Sequence, residues 1–372
     1  MTAASGVSDH ADAIDDLRAA RLATQGLTRR DATSPEAVVR RILAVQAQDL
    51  RGARLAVRSR SVGLTSADVD EAFTERRSLV VTWLQRGTLH LVASEDFWWQ
   101  HALTAPRMAT GIRRRLGQEG VSEAQAATGI DVITGAIASD GPQSRAQLQQ
   151  HLDAAGVPTA GQALVHVLSA AAAAGRIVRG PIVDGEHAFV DPVAWIGPPP
   201  REHLTEEGRA ELLGRLAARY VDGHGPADER DLVKWSGLPL GDARRGFAQL
   251  GEAAPLRDDG LRDRADRERP DGLPSPRLLG AFDPILHGWA SREMFVGEHS
   301  GVVTSNGVFR ATALVEGRTV ATWSVDRQGL VLRPFEAIDA SNVEALERDA
   351  TDVQRFLGFA ERGITAVQNR FE

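Results

Sequence analysis

Apolar residues recur at helical spacing through the first two thirds of the chain and alternate with polar residues in the last third. The first helical stretches cover 17–27 and 34–49, where Ser34 suits the N-cap and Pro35 the first helical position. A third helix at 66–76 precedes two alternating stretches, 80–84 and 88–92, which predict a hairpin. Three helices followed by a hairpin indicate a winged helix.

The same order of elements repeats further along. Helical spacing at 130–138, 144–154 and 162–174 precedes strands at 177–183 and 187–191, which are joined by Asp184-Gly185. Gly197-Pro198-Pro199-Pro200 is a clear linker. A third set of helices follows at 206–220, 226–235 and 238–250.

From Leu278 onward the pattern changes to strands, predicted at 307–314, 319–325 and 330–335, before a last amphipathic helix at 342–363. The predicted fold class is therefore α+β, with three tandem winged-helix units, a C-terminal β-sheet region and a final helix. The predicted segments are an acidic N-terminal tail at 1–16, a first winged helix at 17–104, a second at 105–200, a third at 201–260, and a β-rich region with the last helix at 261–372.

Composition narrows the class of protein. No stretch approaches the roughly 20 apolar residues of a membrane span, and the first 16 residues lack the charge and the apolar core of a signal peptide. We therefore expect a globular, monomeric, cytoplasmic protein, bacterial and associated with the nucleoid if it binds DNA.

The residue types present exclude several chemistries. The chain has no cysteine, which removes disulfides, thiolate nucleophiles, Cys-ligated zinc and iron–sulfur clusters. Lys234 is the only lysine, so a Schiff-base mechanism would have to use that residue. The ten histidines show no metal-ligand spacing, and there is no phosphate-binding Gly-rich loop or Gly-x-Ser-x-Gly elbow. We expect no metal and no cofactor.

Charge is distributed unevenly. The net charge is −7, but residues 17–118 carry 17 Arg against 9 acidic residues. A basic third inside an acidic protein is typical of a localised surface for nucleic acid, because phosphate binding uses basic side chains. The alternative is a solvated face that is balanced by acidic neighbours.

The residues from Gln46 to Asp49, here called the glutamine segment, interrupt the apolar stripe of the second helix. Gln46 falls four residues after Ile42 and is expected to face inward, where an amide needs a hydrogen-bond partner. A structural reading, in which Gln46 caps a loop carbonyl, fits this observation as well as a functional one does.

Five stretches, in this order, resemble the AlkZ/YcaQ-type winged-helix DNA glycosylases. They are Arg18-Ala19-Ala20-Arg21-Leu22-Ala23 with Gln25-Gly26-Leu27, Gln46-Ala47-Gln48-Asp49, Trp83-Leu84-Gln85-Arg86-Gly87-Thr88-Leu89-His90-Leu91-Val92, Ala281-Phe282-Asp283-Pro284-Ile285-Leu286-His287-Gly288-Trp289, and Gly307-Val308-Phe309-Arg310. In that family a Gln-x-Gln or Gln-x-Asp pair is the catalytic element. Here Gln46-x-Gln48 has the form associated with the antibiotic-resistance branch.

The resemblance implies a monofunctional DNA glycosylase for alkylated purines, with catalytic candidates Gln46, Gln48 and Asp49. Alkylation at N7 or N3 makes the purine cationic, so the base departs without an enzyme acid and the two amides orient the attacking water. Residues two apart on an α-helix point in different directions, so Gln48 partners Gln46 only if the helix ends or loosens there. If the segment stays helical, Asp49 is the better partner.

Arginines directly after the glutamine segment are placed to hold phosphates beside a target nucleotide. The DNA-binding candidates are Arg51, Arg54, Arg58, Arg86, His90, Arg113 and Arg114. His90 enters by the resemblance, since a lone histidine in a strand is usually structural.

The expected partner is duplex DNA containing alkylated purines. Few aromatic residues lie near Gln46 in the sequence, which predicts an open cleft that accepts bulky or crosslinked N7 adducts but leaves uncharged lesions. The resemblance adds a role in repair or in self-resistance to a DNA-alkylating natural product. The alternative function is a non-enzymatic winged-helix transcriptional regulator, because such folds usually bind without catalysing.

Overall fold

The computed structural model describes residues 3–200, 205–268, 270, 272–325, 329–359 and 364–366. Its internal contacts divide the chain into two compact units. Unit 1 comprises Met1–Asp68, Gly214–Trp235 and Pro239–Glu372, and unit 2 comprises Val69–Leu213 and Ser236–Leu238. This division groups the chain differently from the predicted segments, because the boundary after Asp68 falls inside the segment predicted at 17–104.

The N-terminal elements are α1 (Ala3–Thr24), α2 (Pro35–Ile42), β1 (Val45–Gln46), α3 (Leu50–Ser59) and α4 (Ser66–Thr74). The first helix starts at Ala3, so the segment that was predicted as a tail is helical from that residue. Ser34 caps α2 by accepting a hydrogen bond from the Ala37 N–H, as the sequence predicts.

The expected helix through 34–49 is wrong at its C-terminal end, because α2 stops at Ile42. Leu43 has a φ of +68°, outside the helical region. Gly223 packs so tightly here that a Cβ on it would lie 2.2 Å from the Arg41 carbonyl oxygen. Tertiary packing therefore ends the helix where local spacing would have continued it, and the glutamine segment connects two helices.

Unit 2 contains β2 (Leu79–Trp83), β3 (Leu89–Ala93), α5 (Ser94–Gln118), α6 (Glu123–Asp140), α7 (Arg145–Ala154), α8 (Ala163–Ala173), β4 (Val178–Val183), β5 (Glu186–Val190) and α9 (Pro192–Ile196). Both predicted hairpins are confirmed. Asp184 and Gly185 have φ values of +52° and +81°, as a two-residue hairpin turn requires. The two hairpins form one sheet in the order β3-β2-β4-β5, in which Val81 on β2 is opposite Arg179 on β4.

The remaining elements are α10 (Glu206–His224), α11 (Glu229–Ser236), α12 (Leu240–Phe247), β6 (Arg277–Leu279), α13 (Glu293–Val296), β7 (Thr312–Val315), β8 (Arg318–Val325), β9 (Leu330–Pro334), α14 (Ala340–Leu357) and β10 (Ile364–Ala366). Strands β6 to β10 form a second sheet in the order β10-β9-β8-β7-β6, with β10 parallel to β9. The last helix ends at Leu357 because Gly358 is left-handed, and the predicted continuation through 360–363 lies outside the described residues. The predicted α+β class is confirmed.

Candidate functional site

The glutamine segment is not helical, and its members differ in exposure. Gln46 is the last residue of β1 and is 6% exposed, whereas Gln48 is exposed. Asp49 caps α3, and its carboxylate accepts a hydrogen bond of 3.0 Å from the Arg51 backbone N–H. Because the segment is not helical, the condition for Gln48 to share a water with Gln46 is met. Asp49 is engaged in capping.

The loop at 280–289, here called the Phe282 loop, packs against α3 one turn after the glutamine segment. A Cβ on Gly52 would lie 2.2 Å from the Ala281 carbonyl oxygen, and one on Gly280 would lie 2.7 Å from the Gly52 carbonyl oxygen. Only glycines at both positions permit this approach of the two backbones. Two stretches that lie more than two hundred residues apart in the sequence are thereby joined in unit 1.

A buried ion pair connects the other end of α3 to the same loop. The Arg60 guanidinium donates two hydrogen bonds of 2.9 Å to the Asp283 carboxylate, and both side chains are fully shielded from solvent. Arg60 also donates to Gln25 Oε1 at 3.2 Å. Gln25 in turn donates to the Gly223 carbonyl oxygen at 2.5 Å, so residues from four separate stretches meet at one buried point.

Aromatic rings gather on the Phe282 loop. Phe282 has a φ of +58°, and its carbonyl oxygen accepts a 2.9 Å hydrogen bond from His287 Nε2. The ring centroids of Phe282 and His287 each lie 5.6 Å from that of Phe309, and the Arg292 guanidinium lies 4.9 Å from the Phe309 centroid. The expectation that aromatic residues are scarce was based on sequence neighbours. Packing brings this cluster to the loop that contacts α3.

A second buried cluster in unit 1 surrounds His224. Its ring stacks on Tyr220 with centroids 4.6 Å apart and meets the Trp235 and Trp289 rings at 5.5 Å and 5.7 Å. Burial, followed by the nearby His287, lowers the pKa of His224 to about 3. The imidazole is therefore neutral at physiological pH. Trp289 Nε1 donates to the His224 carbonyl oxygen at 2.8 Å, which fixes the end of α10 against the Phe282 loop.

Arg58 was predicted to contact DNA, and the structure contradicts this. Its side chain is 1% exposed and forms ion pairs with Asp349 and, at 2.9 Å, with Asp352. It also donates to the Leu278 carbonyl oxygen at 3.0 Å. Helical spacing places Arg58 on the inner face of α3, where it fastens α14 to that helix.

His90 is likewise interior. It lies on β3 opposite Thr82, is 1% exposed, and its Nδ1–H donates to the Thr88 carbonyl oxygen at 2.9 Å. This side chain is not available to a DNA groove, so the prediction of a direct contact is not retained. Its burial favours a structural role, which is usual for a lone histidine within a strand.

The other predicted DNA contacts lie nearer the surface. Arg51 is exposed and Arg54 is half-buried in unit 1, whereas Arg86, Arg113 and Arg114 are exposed in unit 2. These five positions stay predictions.

Among the described residues no group of three or more His, Cys, Asp or Glu side chains is arranged to hold a metal ion. No helix in the described part of the chain is long and apolar enough to cross a membrane.

The chain is similar to known DNA glycosylases over most of its length. A family model described as DNA glycosylase AlkZ-like matches residues 39–356. An interstrand DNA cross-link repair glycosylase from Streptomyces sahachiroi is 25% identical over 382 residues, covering 93% of this chain and 97% of that protein. The solved structure of the Streptomyces sahachiroi DNA glycosylase AlkZ superimposes with a TM-score of 0.75 at 23% identity, over 95% of this chain and 99% of that one.

Proposed function

Since this chain belongs to the AlkZ-like DNA glycosylase family, we propose that it hydrolyses the N-glycosidic bond of cationic N7- or N3-alkylated purines in DNA. Bulky adducts and interstrand crosslinks are included among its substrates. The observation that carries the proposal is the non-helical glutamine segment, in which Gln46 is buried and Gln48 is exposed next to the N-terminus of α3.

The reaction needs few protein groups. A water oxygen bonds to C1′ of the nucleotide while the C1′–N9 bond breaks, and the cationic purine takes the bonding electrons and leaves neutral. The water proton passes to solvent, so no enzyme acid is required. Gln46 and Gln48 orient the water and tolerate the positive charge that develops on the sugar.

The surroundings of the segment support a fixed geometry for these amides. Gly52 holds the Phe282 loop against α3, and the Arg60–Asp283 pair fastens the opposite end of the helix. A positioned group is effective only when its supporting elements do not move. Asp49 contributes by starting α3 and thereby fixing where the segment ends.

The test is base release by the purified chain. Duplex DNA with one N7-methylguanine, and the same duplex with a bulky N7 adduct, should lose the modified base and become sensitive to alkaline cleavage. Matched duplexes containing uracil or 1,N6-ethenoadenine should stay intact, because neither base is a cationic leaving group. DNA binding without release from any duplex would instead favour the transcriptional regulator. Robust uracil excision would contradict the proposed chemistry.

A further inference from the structure

Arg179, in unit 2, is partly buried and has no carboxylate partner among the residues that the structure describes. Arg179, on β4, is partly buried between two aromatic rings, with its guanidinium carbon 5.2 Å from the Trp83 centroid and 5.2 Å from the Phe189 centroid. Its Nε–H is shielded from solvent and has no acceptor among the described residues. The strand register explains this position, because Phe189 is directly opposite Arg179 on β5 and Trp83 lies two residues beyond its partner Val81 on β2.

The arginines that are at most 6% exposed in the described chain provide the comparison. Each of them has an aspartate as an ion-pair or electrostatic partner: Arg18 with Asp15, Arg21 with Asp231, Arg58 with Asp349, Arg60 with Asp283, and Arg277 with Asp349. Buried charges are normally paired in this way, since an unpaired charge loses its hydration without compensation. Arg179 departs from the pattern.

The charged group that acts on Arg179 is a second arginine. Burial first, and then the positive charge of Arg145, lower the pKa of Arg179 to about 10. Gln143 exchanges backbone hydrogen bonds of 3.0 Å and 2.7 Å with Phe189. Arg145, exposed at the start of α7, follows two residues later, so this bridge holds it near the Phe189 ring that flanks Arg179.

We propose that Arg179 and Arg145 bind a phosphodiester of the DNA backbone. The guanidinium of an arginine that packs against aromatic rings keeps its planar set of N–H donors, which suits the oxygens of a phosphate. The positive charges of Arg179 and Arg145 together are complementary to the negative charge of a phosphodiester. The inference rests on the proposed function, and it adds a backbone contact on unit 2 that the sequence motifs do not reveal.

The first test measures binding to undamaged duplex by fluorescence anisotropy over a series of salt concentrations. Arg179→Met keeps an unbranched side chain between the rings and removes the charge. We expect its affinity to fall about tenfold at moderate salt. The slope of log K against log salt should become about one unit shallower, since one phosphate contact is lost. Arg348→Gln, at an exposed site on α14, is the matched control and should bind like the wild type.

Thermal unfolding separates this role from a structural one. If Arg179 serves only to pack against Trp83 and Phe189, Arg179→Met melts at a lower temperature and retains the wild-type salt slope, which would overturn the proposal. If Arg179 binds phosphate, removing an unpaired charge should leave the melting temperature unchanged or raise it. Arg145→Gln changes an exposed residue and should also reduce the salt slope, which covers the case in which Arg179→Met fails to fold.

Two further outcomes are distinguishable. In the first, inorganic phosphate raises the melting temperature of the wild type but not that of Arg179→Met. If the two proteins then show the same slope of log K against log salt, the site binds the free anion and the proposed DNA contact is overturned. Wild-type protein that binds DNA but releases no base would contradict the proposed glycosylase activity alone. In that case the difference in slope still decides the role of Arg179.

Discussion

At the scale of single residues, the two amides of the glutamine segment have different surroundings. Gln46 is buried at the end of β1 and Gln48 is exposed two residues later. A buried amide is held by its partners, whereas an exposed one has more conformational freedom. In the mechanism that we propose, Gln46 therefore supplies a fixed point for the attacking water, and Gln48 completes the coordination of that water when DNA covers the segment.

Replacement of either amide tests this arrangement. Gln46→Ala and Gln48→Ala should each retain DNA binding and reduce the single-turnover rate of N7-methylguanine release by about 100-fold or more, the usual effect of losing one positioned polar group. Gln150→Ala, which removes an exposed amide from α7, is the control. Melting temperatures should accompany the rates, because Gln46 is buried. Wild-type rates in both variants would remove the glutamine segment from the mechanism.

The buried His224 predicts a dependence of stability on pH. Its pKa is about 3 in the folded chain and about 6.5 when unfolded. Between these values the unfolded state binds a proton that the folded state does not. The free energy of unfolding therefore has its full value above about pH 6.5. It decreases as the pH falls below that value, by up to about 1.4 kcal/mol per pH unit.

The measurement compares the free energy of unfolding of wild type and His224→Phe in urea at pH 7.5 and pH 5. Phenylalanine keeps the ring contacts with Tyr220 and Trp235 without a titrating group. The wild type should lose about 1–2 kcal/mol more than the variant between the two pH values. Burial also lowers the pKa of His101 and His166, and both remain in the two proteins, so they cancel in the comparison. Equal losses would show that another group causes the pH dependence.

Residue positions also show what sequence could and could not establish. Helical spacing predicted that Gln46 is inward, and it is, although it lies in an extended segment. The cluster of arginines after the glutamine segment predicted a DNA contact for Arg58, because charge alone does not reveal a partner almost three hundred residues away. Asp349 and Asp352 become visible as partners only when α14 packs on α3.

At the scale of secondary-structure elements, the helix α3 is held near both of its ends. It is capped by Asp49 at one end, contacts the Phe282 loop at Gly52, and is tied to the same loop by Arg60 and Asp283. Any shift of α3 must therefore move both the loop and the end of the glutamine segment. Catalysis should respond to packing changes at Gly52, although this residue has no side chain to take part in the reaction.

Gly52→Ala tests that coupling. An alanine normally stabilises a helix relative to glycine, but here its Cβ would lie 2.2 Å from the Ala281 carbonyl oxygen. We expect a loss of about 1–3 kcal/mol in the free energy of unfolding and a clear fall in base release. Gly111→Ala in α5, where nothing lies within 4 Å of the added Cβ, should instead be neutral or stabilising by up to about 1 kcal/mol. Equal behaviour of the two variants would refute the close approach.

Elements were predictable where the signal is local. The cap at Ser34, the turn at Asp184-Gly185 and the alternation along β8 each specify their own structure. The pairing of β2 with β4 is different, because each hairpin already forms its own hydrogen bonds and neither sequence identifies the other. The cluster of Trp83, Phe189 and Arg179 depends on that pairing, so the sequence alone does not predict it.

At the scale of the whole molecule, the charge distribution decides how DNA is held. The first third is basic, but four of its arginines are internal: Arg18, Arg21, Arg58 and Arg60 are each at most 5% exposed. Their charge is compensated within the fold and does not contribute to the surface that DNA meets. The electrostatic surface is consequently smaller than the sequence suggests. Exposed residues such as Arg51, Arg86 and Arg113 stay the candidates for DNA contact.

The salt dependence of binding measures that surface. If about four phosphates are contacted, log K for an undamaged duplex should fall against log salt with a slope of roughly −3 to −4. A chain with a net charge of −7 gains nothing from general attraction, so such a slope would require a localised basic face. Arg58→Met should leave the slope unchanged, because Arg58 is paired with aspartates, whereas Arg113→Gln should make it shallower. Anisotropy titrations between about 50 and 250 mM KCl provide the measurement. A slope near zero would mean that the exposed arginines do not contact DNA.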